Sequence, residues 1–577
     1  MGKVLRINMA DLSVKAEDNK DYEGFGGRGF TSMVVSKEVP PLCHPLGASN
    51  KVVISPGLLC GTSAANSGRL SIGAKSPLTG GIKESNVGGS AAQKLARLDI
   101  AGIIVEGLPA DDKLHYLVIN NEGAELVPAD EYKGLKNYDL VEKLREKYMN
   151  KAAVVSIGPA GEFKLSAASV AVTDLNGHPA RHAGRGGMGA VMGSKGLKAI
   201  VIDDKGACGI EYNDRDAFKE AAAKLRDALR SHPVTQKGGG LSTFGTNVLV
   251  NVINEAGGFP TRNFSRGKFE GAGKISGEAM HDLIKERGGD TTHTGCSNCI
   301  IQCSNVFLDE NQKYVTSALE YETVWAHGAN LEIDDLDAIA RIDRLCDDYG
   351  LDTIEMGCAI GVAMTAGIES FGDSEGAIEL IHEAGKGTTL GRIIGNGAAV
   401  TGQAFGVSRV PVVKRQGLPA YDPRAVKGVG VTYATTPMGA DHTAGYAVAT
   451  NIMRVGGFVD PLKPEGQAEL SRDLQVATAA IDAAGLCVFI SFAVLDNSEA
   501  LEAIPQMINA RYGWDLTMDD VTKYGQDILK AEIDFNRRAG FTKEHDRLPE
   551  FFVKESLEPH NVVFDVSEDE LDQVHSY

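Results

Sequence analysis

The chain has 577 residues, 58 basic and 77 acidic, for a formal net charge of −19. That length exceeds one ordinary core and points to about two to four domains, and 43% hydrophobic with 23% charged residues describes a folded globular chain. The acidic balance argues against a nucleic-acid partner, whose phosphates require Lys and Arg. The longest apolar run, about 13 residues from Ala483 to Leu495, falls short of the ~20 a spanning helix needs, so no membrane span is expected. The N-terminus shows no apolar signal segment and no twin arginine, and nine scattered Cys do not form a disulfide framework. The expected location is the cytoplasm.

In chain order, short apolar runs come first: 51–55, 102–106, 153–157 and 199–202. Gly-rich turns separate them, which predicts β-sheet with few helices over 1–205. Gly is the compositional outlier, 68 residues or about 12% against a usual ~7%. After Cys208 the pattern turns helical. Asp214 is placed to cap a helix running to about Arg230, and helical periodicity covers 335–346, 353–367, 375–385, 466–481, 499–511 and 518–538. A Gly/Pro-rich break at 400–420 divides this part into 206–405 and 406–577. The expected fold class is α+β: an N-terminal β-sheet domain followed by two mainly α-helical domains.

Cys296, Cys299 and Cys303 form C-x2-C-x3-C. Thiolates suit iron–sulfur clusters and zinc. The spacing wraps one corner of a cubane, with a fourth ligand from elsewhere. Zinc with His293 is the competing reading, although a zinc ribbon usually pairs two knuckles and no second knuckle exists. Cys43, Cys60, Cys208, Cys346 and Cys358 read as inert thiols. A short pattern occurs twice: Asp347-Asp-Tyr-Gly350-Leu351-Asp352 and Asp482-Ala-Ala-Gly485-Leu486-Cys487. Both are D-x-x-G-L after a helical stretch, where Gly suits a left-handed C-cap. They are either two unrelated helix ends or two equivalent loops that present a carboxylate to similar ligands. Cys487, at the end of the second copy, is the natural distant ligand for the cluster.

Loops rich in Gly and Arg recur at 26–29, 66–69, 84–89, 181–190 and 191–198. Backbone N–H groups beside Arg bind anions, and Gly allows close approach. Neither a P-loop nor a dinucleotide fingerprint is present. Any one loop reads as a plain turn, but together they favour a large polyanionic cofactor.

These residues resemble one family nearly end to end: the tungsten-containing aldehyde:ferredoxin oxidoreductases. The similarity is carried by Gly26-Gly-Arg-Gly-Phe30, Ser67-Gly-Arg69, Ser85-Asn-Val-Gly-Gly89, Arg181-His-Ala-Gly-Arg-Gly-Gly187, Pro260-Thr-Arg-Asn-Phe264, the three-Cys motif, Glu320-Tyr-Glu-Thr323, both D-x-x-G-L copies and Pro437-Met-Gly-Ala-Asp-His442. The resemblance implies a tungsten (or molybdenum) bis-molybdopterin lying on the N-terminal β domain, a [4Fe–4S] cluster held by Cys296, Cys299, Cys303 and Cys487, and Mg2+ bridging the pterin phosphates. It implies that Asp347, Leu351 and Asp352 line one pterin and that Asp482, Leu486 and Val488 line the other. Arg69, Asn86, Gly88, Arg181, His182, Ala183 and Arg185 then contact pterins and phosphates, with Mg2+ on carbonyls of the Asn86 loop and of His182 or Ala183. Glu322, with Glu320 as rival, and His442 stand as catalytic groups. Their bland readings are a helix-entry carboxylate and a structural His. Glu332 lacks the His of the family's E-x-x-H, so an interfacial iron is not expected. Ala444 stands where relatives can carry Lys.

The implied activity is oxidation of an aldehyde to a carboxylic acid, with electrons passing through the cluster to ferredoxin or an iron–sulfur partner subunit. Homo- and hetero-oligomers are both open. The alternatives are a tungsten subunit of an aryl-CoA ring reductase, a cluster-only electron-transfer protein, and a zinc-stabilised structural protein.

Overall fold

The computed structural model describes residues 2–148 and 151–577. Two six-stranded sheets build the N-terminal part. The first contains β1 (Lys3–Asn8), β2 (Ser13–Asp18), β3 (Val52–Pro56), β4 (Leu70–Lys75), β5 (Ile82–Val87) and β6 (Ile100–Glu106) in the order β2-β1-β6-β3-β4-β5. The second contains β7 (His115–Asn120), β8 (Gly123–Pro128), β9 (Ala153–Ser156), β10 (Val170–Val172), β11 (Arg181–Ala183) and β12 (Leu197–Ile202) in the order β11-β10-β9-β12-β7-β8. The pairs β1–β6 and β12–β7 are parallel. The four apolar runs foreseen in the sequence are β3, β6, β9 and β12. All four are interior strands, which is why they read as continuous apolar stretches. Leu5, Ile7, Val52, Ile54 and Ile72 share one buried cluster with Leu117, Ile119, Val155 and Ile200, so the sheets pack face to face. Each such side chain contributes about 1.5–3 kcal/mol by leaving water.

The expectation of few helices here needs correction. Residues foreseen as a Gly-rich loop at 26–29 begin α1 (Gly27–Glu38), with Gly26 as N-cap. Gly lowers helix propensity, and tertiary packing overrides it: Phe30, Val34 and Val35 bury against Val53 and Ile104. The segment 191–198, foreseen as an anion loop, is also different. Met188–Ser194 is helical. Buried Lys195 donates to Gly47 O at 2.9 Å and Lys198 to Leu135 O at 2.9 Å. Both lysines cap carbonyls inside the fold, away from the cavity described below.

The remainder is mainly helical. α2 (Arg215–Ser231) starts where expected, with the Asp214 side chain accepting from Asp216 N and Ala217 N. Then come α3 (Tyr321–His327), α4 (Leu336–Tyr349), α5 (Thr353–Thr365), α6 (Gln467–Ala484) and α7 (Met518–Arg538). The stretches expected near 375–385 and 499–511 are Ser374–Lys386 and Ser498–Tyr512. One small sheet carries no signal in the sequence. β13 (Asp290–His293), β14 (Ser304–Leu308) and β15 (Tyr314–Ser317) are antiparallel, and the three-Cys motif is the loop between β13 and β14. A single hydrophobic cluster runs from Phe218 of α2 through Ile339 of α4 to Phe552. Among the described residues no helix is long and apolar enough to cross a membrane.

Candidate functional site

A cavity of ≈ 370 Å³ lies between the β base and the helical part. It is lined by nearly every residue singled out in the sequence: Arg69, Asn86, Gly88, Arg181, His182, Arg185, Glu320, Glu322, His442, Asp347, Leu351, Asp352, Asp482, Val488 and all four candidate cysteines. Ala183 and Leu486 are the exceptions. Both side chains are fully buried in the core, so any contact they make with a ligand there uses their backbone.

Both D-x-x-G-L loops are Gly-capped helix ends seated on the N-terminal domain. Gly350 (φ +73) ends α4 and Gly485 (φ +78) ends α6. In each, the Leu N–H returns to the helix, Leu351 to Cys346 O at 2.8 Å and Leu486 to Ile481 O at 3.2 Å, a Schellman closure. Their docking matches too. Ser169 N donates to Gly350 O and Asp352 N to Ala167 O, each at 2.9 Å. Arg69 N donates to Gly485 O at 3.1 Å and Cys487 N to Asn66 O at 2.9 Å. Glycine is required at these seats: a Cβ on Gly57 would fall 2.1 Å from Gly485 Cα, and one on Gly158 would fall 2.3 Å from Tyr349 O.

At one end of the cavity are Cys296, Cys299, Cys303 and Cys487. Asn66, in the left-handed region at φ +57, joins their two segments. Its N–H donates to Asn298 O, its side-chain oxygen accepts from Ile300 N at 3.2 Å, and its carbonyl holds Cys487. Cys299 Sγ accepts from Gln302 N at 3.3 Å. Burial pushes the Cys299, Cys303 and Cys487 thiols up, so a bound cation is what would let them ionise. His293, the alternative zinc ligand, lies outside this cavity and bonds Asn176 at 2.8 Å and Ser304 at 3.3 Å. Among the described residues no three His, Cys, Asp or Glu converge closely enough for one ion. Thiolates sharing one zinc lie about 3.8 Å apart, given Zn–S bonds of about 2.3 Å, whereas a cubane gives each thiolate its own iron and spreads them wider.

At the other end, Glu322 Oε1 lies 3.3 Å from His442 Nε2. Glu322 sits in the first turn of α3, and its second oxygen accepts from Ala420 N at 3.0 Å. The rings of Tyr421 and Tyr446 stand 5.9 and 6.0 Å from His442, and their hydroxyls bond each other at 2.9 Å. Burial pushes the Glu322 carboxyl up to about 8 and pulls the His442 imidazole down to about 4, although Asp441 opposes the latter. In the ligand-free pair at neutral pH the proton therefore rests on Glu322. Glu320 faces elsewhere: it meets Arg181 at 3.4 Å and accepts from Thr246 Oγ1 at 2.6 Å.

Between the ends, Arg28, Arg69, Lys83, Arg181 and Arg185 line the same space. Arg69 Nε donates to Asn86 Oδ1 at 2.5 Å, and Arg185 donates to Ala440 O at 2.7 Å and Gly417 O at 2.6 Å. Several buried polar atoms have no partner: Arg181 Nε and Nη2, Asn86 Nδ2, Asp347 Oδ2, Glu322 Oε1 and His442 Nδ1. Unpaired buried donors are costly, so this pattern marks a ligand's place. Lys83 lies in no motif read from the sequence, and Arg28 and Asp441 lie in motifs that gave them no role. Their partners lie hundreds of residues away, and only the burial of Lys and Arg in a Gly-rich segment hints at them.

A family profile described as "Aldehyde ferredoxin oxidoreductase, N-terminal domain" matches residues 4–204, and one described as "domains 2 & 3" of the same enzyme matches 220–574. The chain belongs to the aldehyde ferredoxin oxidoreductase family. It is thus an oxidoreductase of that family. A tungsten-containing aldehyde ferredoxin oxidoreductase from Pyrococcus horikoshii is 38% identical, covering 96% of this chain and 92% of the relative. One from Pyrococcus abyssi is also 38% identical with the same coverage. Among solved structures, the active-site complex BamBC of benzoyl coenzyme A reductase with 1,5-dienoyl-CoA matches with a TM-score of 0.80 over 100% of this chain and 93% of the other, at 21% identity. That likeness concerns the fold.

Proposed function

We propose that this member of the family oxidises aldehydes to carboxylic acids: RCHO + H2O → RCOOH + 2 e⁻ + 2 H⁺. The observation that carries the proposal is one cavity with the Glu322–His442 pair at one end, four cysteines at the other and a carboxylate loop on each flank. The residues fit a bis-pterin group. The unpaired Arg181 nitrogens, with Arg69 beside them, suit its phosphates, and the unpaired oxygen of Asp347 is an acceptor for pterin N–H. Asp347, Leu351 and Asp352 would hold one pterin, and Asp482, Leu486 and Val488 the other. Arg69, Asn86 and Arg181 would meet phosphates, and Arg185, whose guanidinium already bonds Ala440 O, Gly417 O and Asp352, would border the pterin. Strands β5 and β11 pack together, and carbonyls of the Asn86 loop and of His182 or Ala183 would hold the Mg2+. When bound, the tungsten centre supplies a two-electron acceptor and a Lewis-acid site. Cys296, Cys299, Cys303 and Cys487 would hold a [4Fe–4S] cluster, which supplies single-electron transfer to ferredoxin or an iron–sulfur partner subunit.

Glu322 is the base. Its carboxylate takes the proton of the attacking water, and a buried carboxyl that titrates near 8 is matched to that task. His442 faces Glu322 through Nε2, and its Nδ1, which has no partner in the fold, is the atom that would meet the aldehyde oxygen as charge builds on it. The rings of Tyr421 and Tyr446 exclude water around the pair. All nine cysteines are unpaired, in keeping with a reducing cytoplasm.

The test is anaerobic expression with tungstate, elemental analysis and aldehyde-dependent dye reduction. The expected result is about one W and at least four Fe per chain, as one cubane requires. Zinc alone, or metal-loaded protein inert toward aldehydes, would overturn the proposal. Glu322→Gln is expected to retain metal and lose about 10²–10⁴-fold in kcat. Because the base must be ionised and burial raises its pKa, kcat/KM falls about tenfold per pH unit below about 8 and levels off above it.

A further inference from the structure

We propose that Lys83 is a positioning residue for this site: its ion pair with Asp441 fixes the turn that carries His442 and cancels the carboxylate's charge beside the imidazole, so that the shared proton stays on Glu322. This rests on the role given above to the Glu322–His442 pair.

Lys83 lies on β5 with its side chain only 1% exposed, and Nζ donates to Asp441 Oδ2 at 2.7 Å. Its stem runs over Gly186 (φ +80), where a Cβ would fall 2.4 Å from Lys83 Cγ, so that glycine makes room for the lysine. The other Asp441 oxygen accepts from Thr443 N at 3.1 Å and from Thr443 Oγ1 at 2.8 Å. Asp441 is thus held on both sides of His442. Burial would raise its carboxyl, but Lys83, Arg185 and His442 outweigh that and hold it far below the usual range.

The charged and titratable groups facing His442 come from four places. Glu322 comes from α3, Asp441 from the same turn, Lys83 from β5 and Arg185 from the segment after β11. Tyr421 and Tyr446 add ring contacts. Burial and the two cations hold the imidazole's proton affinity down, and Asp441 raises it. Arg185 is committed to Ala440 O, Gly417 O and Asp352, so it is not free to take over from Lys83. Without Lys83 the buried carboxylate would attract a proton to His442. An opposite charge within about 4–6 Å shifts a titration by about 1–3 units. Loss of the shared proton, which generates the Glu322 base, would then need a higher pH.

The test compares wild type, Lys83→Met, Lys83→Arg and the double variant Lys83→Met/Asp441→Asn. One readout is the pH dependence of kcat/KM in tungsten-loaded enzyme. The other is the infrared band of the protonated Glu322 carboxyl, assigned by its loss in Glu322→Gln. Lys83→Met is expected to move the pH limb upward by about 1–2 units and to weaken the Glu322 band at neutral pH. Lys83→Arg keeps the wild-type profile, and the double variant restores both limb and band. An unchanged limb and band in Lys83→Met overturns the proposal. So does a double variant that stays as impaired as the single one with reduced tungsten content, since Lys83 would then act on the bound group and not through Asp441. If Lys83→Met does not fold, Lys83→Gln, which keeps a donor to Asp441 but no charge, is expected to show the same raised limb and weakened band, and an unchanged limb and band there overturns the proposal. Wild-type enzyme inert toward aldehydes would overturn the assigned function, while the infrared comparison would still report where the proton sits.

Discussion

The two D-x-x-G-L loops dock on the β base through matching backbone bonds, yet the side chains around them are opposite in character. Asp347 Oδ1 lies 3.0 Å from His182 Nε2, and one turn earlier on α4 sits Asp343, a second buried acid whose carboxyl is raised by burial and by Asp347. That loop ends in Asp352, which caps α5 and meets Arg185 at 3.4 Å. Asp482 instead lies 3.4 Å from Arg28, which also binds fully buried Glu532 at 2.8 Å, and Thr478 stands one turn earlier. That loop ends in Cys487. One backbone device thus serves two ends: a flank where a carboxylate meets an imidazole beside a second acid, and a flank where a carboxylate meets a buried arginine and the chain runs on into the four-cysteine nest.

The largest expected difference concerns the last residue of each loop. Cys487→Ser is expected to lose the cluster, read as iron content and electron paramagnetic resonance signal, with turnover falling about 100-fold or more because the remaining route is longer. Asp352→Asn should keep full iron. Equal iron loss in both would break the distinction between flanks. Next are the carboxylate partners. Arg28→Met leaves Asp482 and Glu532 buried without their cation, and a cost of about 3–5 kcal/mol is expected in urea unfolding. His182→Ala, which removes a mostly buried imidazole from Asp347, is expected to cost about 1–2 kcal/mol. A reversed order would show that the Asp347 flank, not the Arg28 network, bears the structural load. The smallest effect is at the caps. Gly350→Ala and Gly485→Ala each place Ala at positive φ, for about 1–2 kcal/mol. A Cβ at Gly350 meets one atom below 3 Å, Gly158 N at 2.8 Å, whereas one at Gly485 meets two, Cys60 Sγ at 2.7 Å and Gly57 Cα at 2.8 Å, so Gly485→Ala should lower the melting temperature somewhat more.

Local features were legible in the chain. Asp214, Asp335, Asp352 and Asp373 cap helices within three residues of themselves, and the helical periods at 335–346 and 518–538 fall within a residue or three of α4 and α7. Interior strands were visible as unbroken apolar runs. The edge strands β2 and β8 were not, because their exposed faces carry Lys, Glu and Asp. α1 was hidden by its glycines, and the β13–β15 sheet by strands of only four or five residues. In the cavity, motif residues were legible because each sits in a compact pattern. Lys83 was not, and Arg28 and Asp441 stood inside quoted motifs without a role, because a buried ion pair leaves no trace in either neighbourhood.

The sequence by itself determined the elements with short-range causes: helix caps, the C-x2-C-x3-C turn, the two glycine-ended carboxylate loops and the apolar strands. Periodicity and capping act over at most a few residues, so the order of amino acids suffices for them. Tertiary structure alone decided which charge meets which. Asp482 finds Arg28 across 454 positions, and Asp441 finds Lys83 across 358. It also separated Glu322, beside His442, from Glu320, beside Arg181. Two residues apart in sequence, they differ because α3 begins between them and turns one carboxylate toward each end of the cavity.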